Sequence, residues 1–199
     1  MGNCNGVKNS IVPGSIKLSK AEEGKQVDGT LFKQMVGSLM YMTTTSSDLM
    51  YCVCLFSRFI SNPKEVHMLE AKRILRYIKS IIDLGIFYWK GCRDELVAYT
   101  NNGYACDIDD RKSTSGYLFM LSGGVVAWAS KKRPVVTLST TKDEYVEAAS
   151  TAFQCIWMQH ILKQIKGTQS DCIILQCSAI ILLPLSLPRI QFIMGEVNT

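Results

Sequence analysis

Two rhythms of apolar and polar residues divide the chain. Over residues 31–43, Phe32, Met35, Val36, Leu39 and Met40 recur at helical spacing and predict one amphipathic helix. A second apolar run, residues 49–60, follows TTTSSD, where Ser47 or Asp48 would cap it. Asn62-Pro63 opens a third helix running to about Ile81, because proline suits a first turn, where its missing N–H costs nothing. Its apolar positions are Val66, Leu69, Ala71, Ile74, Ile78 and Ile81, and Lys72, Arg73, Arg76 and Lys79 cluster beside them. Residues 83–85 end this helical part, and residues 1–29, polar and rich in Gly and Lys, read as an extended lead-in.

Beyond that point the runs shorten. Residues 96–100, 116–121, 125–129 and 135–138 are β-rich and predict strands, with Gly123-Gly124 as a tight hairpin joining two of them. Residues 141–166 return to a helical pattern closed by Gly167 at a C-cap, and residues 173–183 read as a further strand. The order is helices, then three or four antiparallel strands, a helix and a strand. That makes an α+β or α/β chain with a boundary near residues 83–95. Residues 184–199 carry no period that assigns them an element.

Composition narrows the picture. With 199 residues, 47% of them apolar, the chain can bury a core as one domain, or one domain plus part of another. Lys and Arg outnumber Asp and Glu by 12 to 7 up to Lys90 and match them 10 to 10 beyond, so the net charge of +5 lies wholly in the first part. A basic bias of this kind suits a nucleic-acid surface, and equally a set of solvated helix faces. The eight cysteines include no CxxC pair and there are only two histidines, which excludes the spacing of a structural zinc site. Reduced thiols packed as small apolar residues are expected. No apolar run reaches the ~20 residues needed to cross a bilayer. With no secretory signal in view either, an intracellular location, cytoplasm or nucleus, is expected. Trp128 and Trp157 are expected in the core, and His67 and His160 on the surface or half-buried.

Several blocks in one order resemble the polyproteins of copia-type long-terminal-repeat retrotransposons, which abound in plant genomes. They are VGSLMYMT, SRFISNP, AKRILRYIK, DLGIFY, DRKSTSGYLFML and WASKKRPVVTLSTTKDEYVEAAS. The resemblance runs from about Asn3 to Ile180. It implies that residues 1–90 are the end of a reverse transcriptase, a helical thumb-like or connection-like segment that helps grip the template–primer. It implies that residues 91–183 are an RNase H-like domain of three antiparallel strands, a helix and a parallel strand, leaving residues 184–199 as an unmatched tail. The family's polymerase aspartates have no counterpart here. Its nuclease role is cleavage of the RNA strand of RNA–DNA hybrids, with converging carboxylates holding two Mg²⁺ ions ~4 Å apart.

Those carboxylates do not carry over intact. The family's first-strand block resembles Tyr-Thr-Asp-Ala-Asp-Trp-Ala-Gly; here it is YTNNGYAC, with Asn101 at the catalytic Asp position and Gly103 at the second acid. The helix block resembles Ser-Ser-Thr-Glu-Ala-Glu-Tyr; here STTKDEY keeps Glu144 at the catalytic Glu position. The next strand resembles Cys-Asp-Asn-Lys-Ser-Ala-Ile; here ILQCSAI puts Leu175 where the third carboxylate belongs, and PRIQFIMGEV matches nothing in the family. An amide brings no charge to a hard divalent cation and leucine brings no donor, so Mg²⁺ should be held weakly if at all, by Glu144. The expectation is an inactive copy. An active hybrid nuclease, or a non-enzymatic nucleic-acid-binding or effector-like protein, are the alternatives.

Three further features have plainer readings beside them. Asp107, Asp109 and Asp110 lie where the family also carries acids that are not ligands. They predict a turn whose side chains bond their own backbone, with Arg111 and Lys112 offsetting the charge. Thr141-x-x-Glu144 has the form of a capping box. Lys131, Lys132 and Arg133, with Lys72, Arg73 and Arg76, could face a nucleic-acid backbone. Residues 73–76, RILR, also match the Arg-x-Leu-Arg signal of oomycete effectors, but inside an amphipathic helix pattern, so secretion is not expected.

Overall fold

The structure, a computed structural model, describes residues 18–20, 24–88, 96–166 and 173–175. It divides into two compact units. One contains the chain up to Leu84 together with the loop Asp107–Asp110; the other contains Gly85–Cys106 and everything from Arg111 onward. The expected tail at 184–199, the C-cap at Gly167 and the far part of the 173–183 strand lie outside the described residues.

The helical unit starts with α1 (Gly29–Met42), whose N-cap Asp28 accepts hydrogen bonds from the N–H groups of Thr30 and Leu31. Phe32, Val36 and Leu39 form its buried stripe, whereas Met40 stays half exposed. The 49–60 run is not one helix. It is a 3-10 turn (Ser47–Leu49), a short α2 (Met50–Phe56) and a second 3-10 turn (Ser57–Phe59). Neither Ser47 nor Asp48 caps it; Asp48 instead accepts a short hydrogen bond from the Tyr77 hydroxyl. Helix α3 (Glu65–Ser80) begins two residues after Pro63, not on it, and buries His67, Met68, Ala71, Ile74 and Tyr77, while Leu69 is 54% exposed.

His67 departs most from expectation. It is fully buried, stacks on Phe59 with ring centroids 4.1 Å apart, and its Nδ1 accepts the Lys64 N–H at 3.0 Å. Burial pushes its pKa below the ordinary imidazole value. The unfolded chain therefore takes up a proton near pH 6.5 that the folded chain refuses, so stability falls as pH drops below that value. Urea midpoints should decline from pH 7.5 to 5.5 in the parent and less so in His67→Gln. An equal decline in both would refute the assignment.

In the second unit, β1 (Leu96–Gly103), β2 (Thr114–Leu121) and β3 (Gly124–Lys132) form an antiparallel meander. Then α4 (Thr140–Lys166) crosses over, and β4 (Ile173–Leu175) pairs parallel to β1, giving the order β3-β2-β1-β4. This α+β arrangement is compatible with an RNase H-like domain. The hairpin turn is Ser122-Gly123, one residue before the expected pair. Both have positive φ (52° and 79°), the type I′ geometry that matches strand twist. Gly124 is instead the first residue of β3, where a Cβ would lie 2.3 Å from the Tyr88 ring. The 135–138 run is no strand: Val135, Val136 and Leu138 are exposed, at 66%, 46% and 90%.

The core of this unit is Leu96, Ala98, Phe119 and Cys155, with Tyr117, Ala127, Met158 and Leu162 packed against it. Cys52 and Cys155 are buried outside any disulfide, as small apolar residues would be. Trp128 is half-buried, but Trp157 is 57% exposed, outside the core where it was expected.

Candidate functional site

Strand alternation decides what β1 presents to α4. Leu96 and Ala98 face the helix, so Asn102 shares their face and Asn101 points to the other. Asn101 is exposed. On α4 the inward positions are Asp143, Glu147, Thr151 and Cys155, four apart, and all are buried. Glu144, one position on, is exposed. Leu175 ends β4 in register with Ala98 of β1. The structure thus does not bring Asn101 and Glu144 together; it joins their neighbours, Asn102 and Asp143.

The helix start explains part of this. Ser139, not Thr141, caps α4: its Oγ accepts the Lys142 N–H at 3.2 Å and its carbonyl accepts the Asp143 N–H at 3.1 Å. That cap sets the rotation of the first turn and turns Asp143 inward.

Asp143 is the centre of a buried polar network. Its Oδ1 accepts from Arg133 Nη1 at 2.9 Å and from Thr137 Oγ1 at 2.7 Å, and its Oδ2 accepts from Asn102 Nδ2 at 2.8 Å. Arg133 Nη2 donates to Glu147 Oε2 at 2.7 Å. Exposure is 9% for Arg133, 0% for Asp143 and 4% for Glu147. Burial alone would raise the Asp143 pKa. Hydrogen bonds from Ser113, Thr137 and Asn102, together with the Arg133 charge, outweigh it and hold the carboxyl below its usual range. The Asn102 Oδ1 and the Thr151 Oγ1 are buried without a hydrogen-bond partner.

Arg133 therefore leaves the basic surface set expected from KKR. Its backbone N–H bonds the Ser113 carbonyl at 2.9 Å where β3 ends, and this turns its guanidinium under the helix. Lys131 stays exposed and Lys132 half-buried on β3. On α3, Lys72 and Arg76 are exposed one turn apart, while Arg73 is half-buried with its Nε unpartnered. Sequence reasoning missed Asn102, Asp143, Glu147 and Thr137. The four-residue spacing of Asp143, Glu147, Thr151 and Cys155 was the available signal.

The acidic loop behaves as a turn. Asp107 Oδ1 accepts the N–H groups of Asp109 and Asp110 at 3.0 and 3.4 Å. Asp107 also pairs with Arg58 at 2.9 Å, and Asp109 takes the Ser19 hydroxyl at 2.6 Å and the Lys20 N–H at 3.0 Å.

Comparison with known proteins places these features among relatives. The chain is 39% identical over 133 residues to "Secreted RxLR effector protein 161" of Plasmopara viticola, covering 66% of this chain and 94% of that protein. It is 37% identical to the retrovirus-related Pol polyprotein from transposon TNT 1-94 of Nicotiana tabacum over 81% of this chain, and 38% identical to that from transposon RE1 of Arabidopsis thaliana over 76%. The chain spans only 13% and 10% of those two polyproteins. No family model matches and no solved structure matches.

Proposed function

The chain belongs to the Pol family of copia-type retrotransposons, and from that premise we propose that it is a polyprotein remnant whose RNase H-like unit no longer cleaves RNA–DNA hybrids. In this reading the helical unit derives from the end of the reverse transcriptase and the protein acts, if anywhere, inside the cell. The observation that carries the loss of activity is the fate of the acids. Asp143, the carboxylate that meets β1, is occupied by a guanidinium and neutral donors, while Glu144 is solvent-exposed and Asn101 lies on the opposite strand face. Two-metal hydrolysis requires several anionic oxygens converging on hard cations. The residues at the family's positions do not fit that requirement: one is an amide facing away, one is a leucine, and one is a lone exposed glutamate.

The effector name of the Plasmopara relative does not transfer through RILR. In this chain that stretch lies mid-α3 with Ile74 fully buried, so it serves helix packing. What remains favoured beside a silent remnant is non-enzymatic binding of nucleic acid. Lys72 and Arg76 stand exposed on α3, in the part of the chain that holds all the net positive charge.

The test is a labelled RNA–DNA hybrid incubated with Mg²⁺ or Mn²⁺ and the folded protein, beside Glu144→Ala and the double change Asn101→Asp, Leu175→Asp. No metal-dependent cleavage is expected from any of them, including the double variant, because a carboxylate at 101 still faces away from α4. Salt-sensitive binding without cleavage would identify the binding reading. Cleavage by the parent that disappears in Glu144→Ala would overturn the proposal.

A further inference from the structure

Asp143 and Glu147 stand one turn apart on the inward face of α4, and both are more than nine-tenths buried. Two carboxylates one turn apart repel, and little water reaches them to screen that repulsion. The cation that answers it comes from a different element. Arg133 follows β3 directly, is itself more than nine-tenths buried, and spends one terminal nitrogen on each carboxylate, at 2.9 and 2.7 Å. Asn102 on β1 donates to the free oxygen of Asp143, so the network ties β1, the end of β3 and α4.

We propose that Arg133 is the resident cation of this acidic pocket, a fixed guanidinium standing where a divalent ion would otherwise be needed to hold two buried carboxylates under one helix. The unit is consequently closed by its own side chain and is indifferent to divalent metal. This goes beyond the loss of nuclease activity and does not rest on it: Asp143 and Glu147 are not family ligand positions, and the readout is folding, not cleavage. Guanidinium suits the role better than ammonium because its planar fork serves two acceptors at once without giving up its proton. Removing it leaves two uncompensated buried charges, which is the costly way to break such a cluster. Replacing all three ionised groups by neutral ones of similar volume costs far less.

All three tryptophans, Trp89, Trp128 and Trp157, lie beyond Leu84, so tryptophan fluorescence of the full chain follows this unit. Thermal unfolding is to be recorded with and without millimolar Mn²⁺ for the parent, Arg133→Ala and the triple variant Arg133→Met, Asp143→Asn, Glu147→Gln. The parent midpoint should not move with Mn²⁺. Arg133→Ala should lose roughly 10 °C or more and recover part of it in Mn²⁺. The triple variant should regain most of the midpoint and ignore Mn²⁺. If Arg133→Ala does not fold, a folded triple variant still supports the proposal, because it locates the fault in the unanswered carboxylates. A parent midpoint that rises with Mn²⁺ would overturn it. So would an Arg133→Ala midpoint equal to the parent's or unmoved by Mn²⁺, or a triple variant no better than Arg133→Ala.

Discussion

Phe119→Ala should destabilise the sheet unit by about 3–5 kcal/mol, a large share of what holds a domain of this size together. Phe119 is 1% exposed and sits mid-β2, paired with Ala98 on one side and Ala127 on the other. Its neighbours across the sheet are small, so they cannot swing in to fill the space. The ring also closes the layer between the sheet and Cys155 of α4, and Tyr117 meets it with ring centroids 5.0 Å apart. Deletion therefore costs both the transfer free energy of the ring and a cavity that stays open. Denaturant unfolding followed by tryptophan fluorescence measures the change. Leu138→Ala, at a site 90% exposed, is the control and should shift stability by no more than ~0.5 kcal/mol. Equal effects at the two positions would show that the sheet unit does not pack as described.

The contrast between these two residues also shows what periodicity can and cannot recover. Helices α1 and α3 were legible because their apolar stripes face real neighbours. The 135–138 run has the composition of a strand, yet a strand needs a ladder partner, and the chain has already left the sheet at Arg133. The 49–60 run is apolar except at Ser57 and Arg58, where the second 3-10 turn opens, and nothing in its pattern marks the first change, from the 3-10 turn ending at Leu49 to α2. The site failed for a sharper reason. On α4 the inward line begins with Asp143, Glu147 and Thr151, while Tyr145, Phe153, Ile156 and Trp157 are exposed. Where polar groups satisfy one another inside, an apolar stripe no longer marks the buried face. On β1 the run Leu96-Val97-Ala98 is apolar at every position, which hides the alternation that separates Asn101 from Asn102. Family resemblance carried the order of the strands and the helix correctly. It could not show that neighbours of the matched residues, and not those residues, are the ones brought together.

Asp107→Ala should cost about 3–5 kcal/mol, far more than a loop residue ordinarily does, because this aspartate has two jobs in the helical unit. Its Oδ2 pairs with Arg58 at 2.9 Å, and both side chains are 9% exposed, so the ion pair is screened little by water or salt. Alanine would leave the Arg58 guanidinium buried without that counter-charge. The same carboxylate closes the turn through Oδ1, accepting two backbone N–H groups that would otherwise lack the acceptor. Asp107→Asn separates the jobs: an amide oxygen still accepts from the backbone but brings no charge to Arg58, so its loss should be smaller. Asp110→Ala, at an exposed position, should change little. Urea unfolding followed by far-ultraviolet circular dichroism ranks the three. The order Asp107→Ala, then Asp107→Asn, then Asp110→Ala follows from a structural acidic turn. A loss shared equally by Asp107 and Asp110, or one that millimolar Mg²⁺ reverses, would mean instead that these aspartates act together as a cation site.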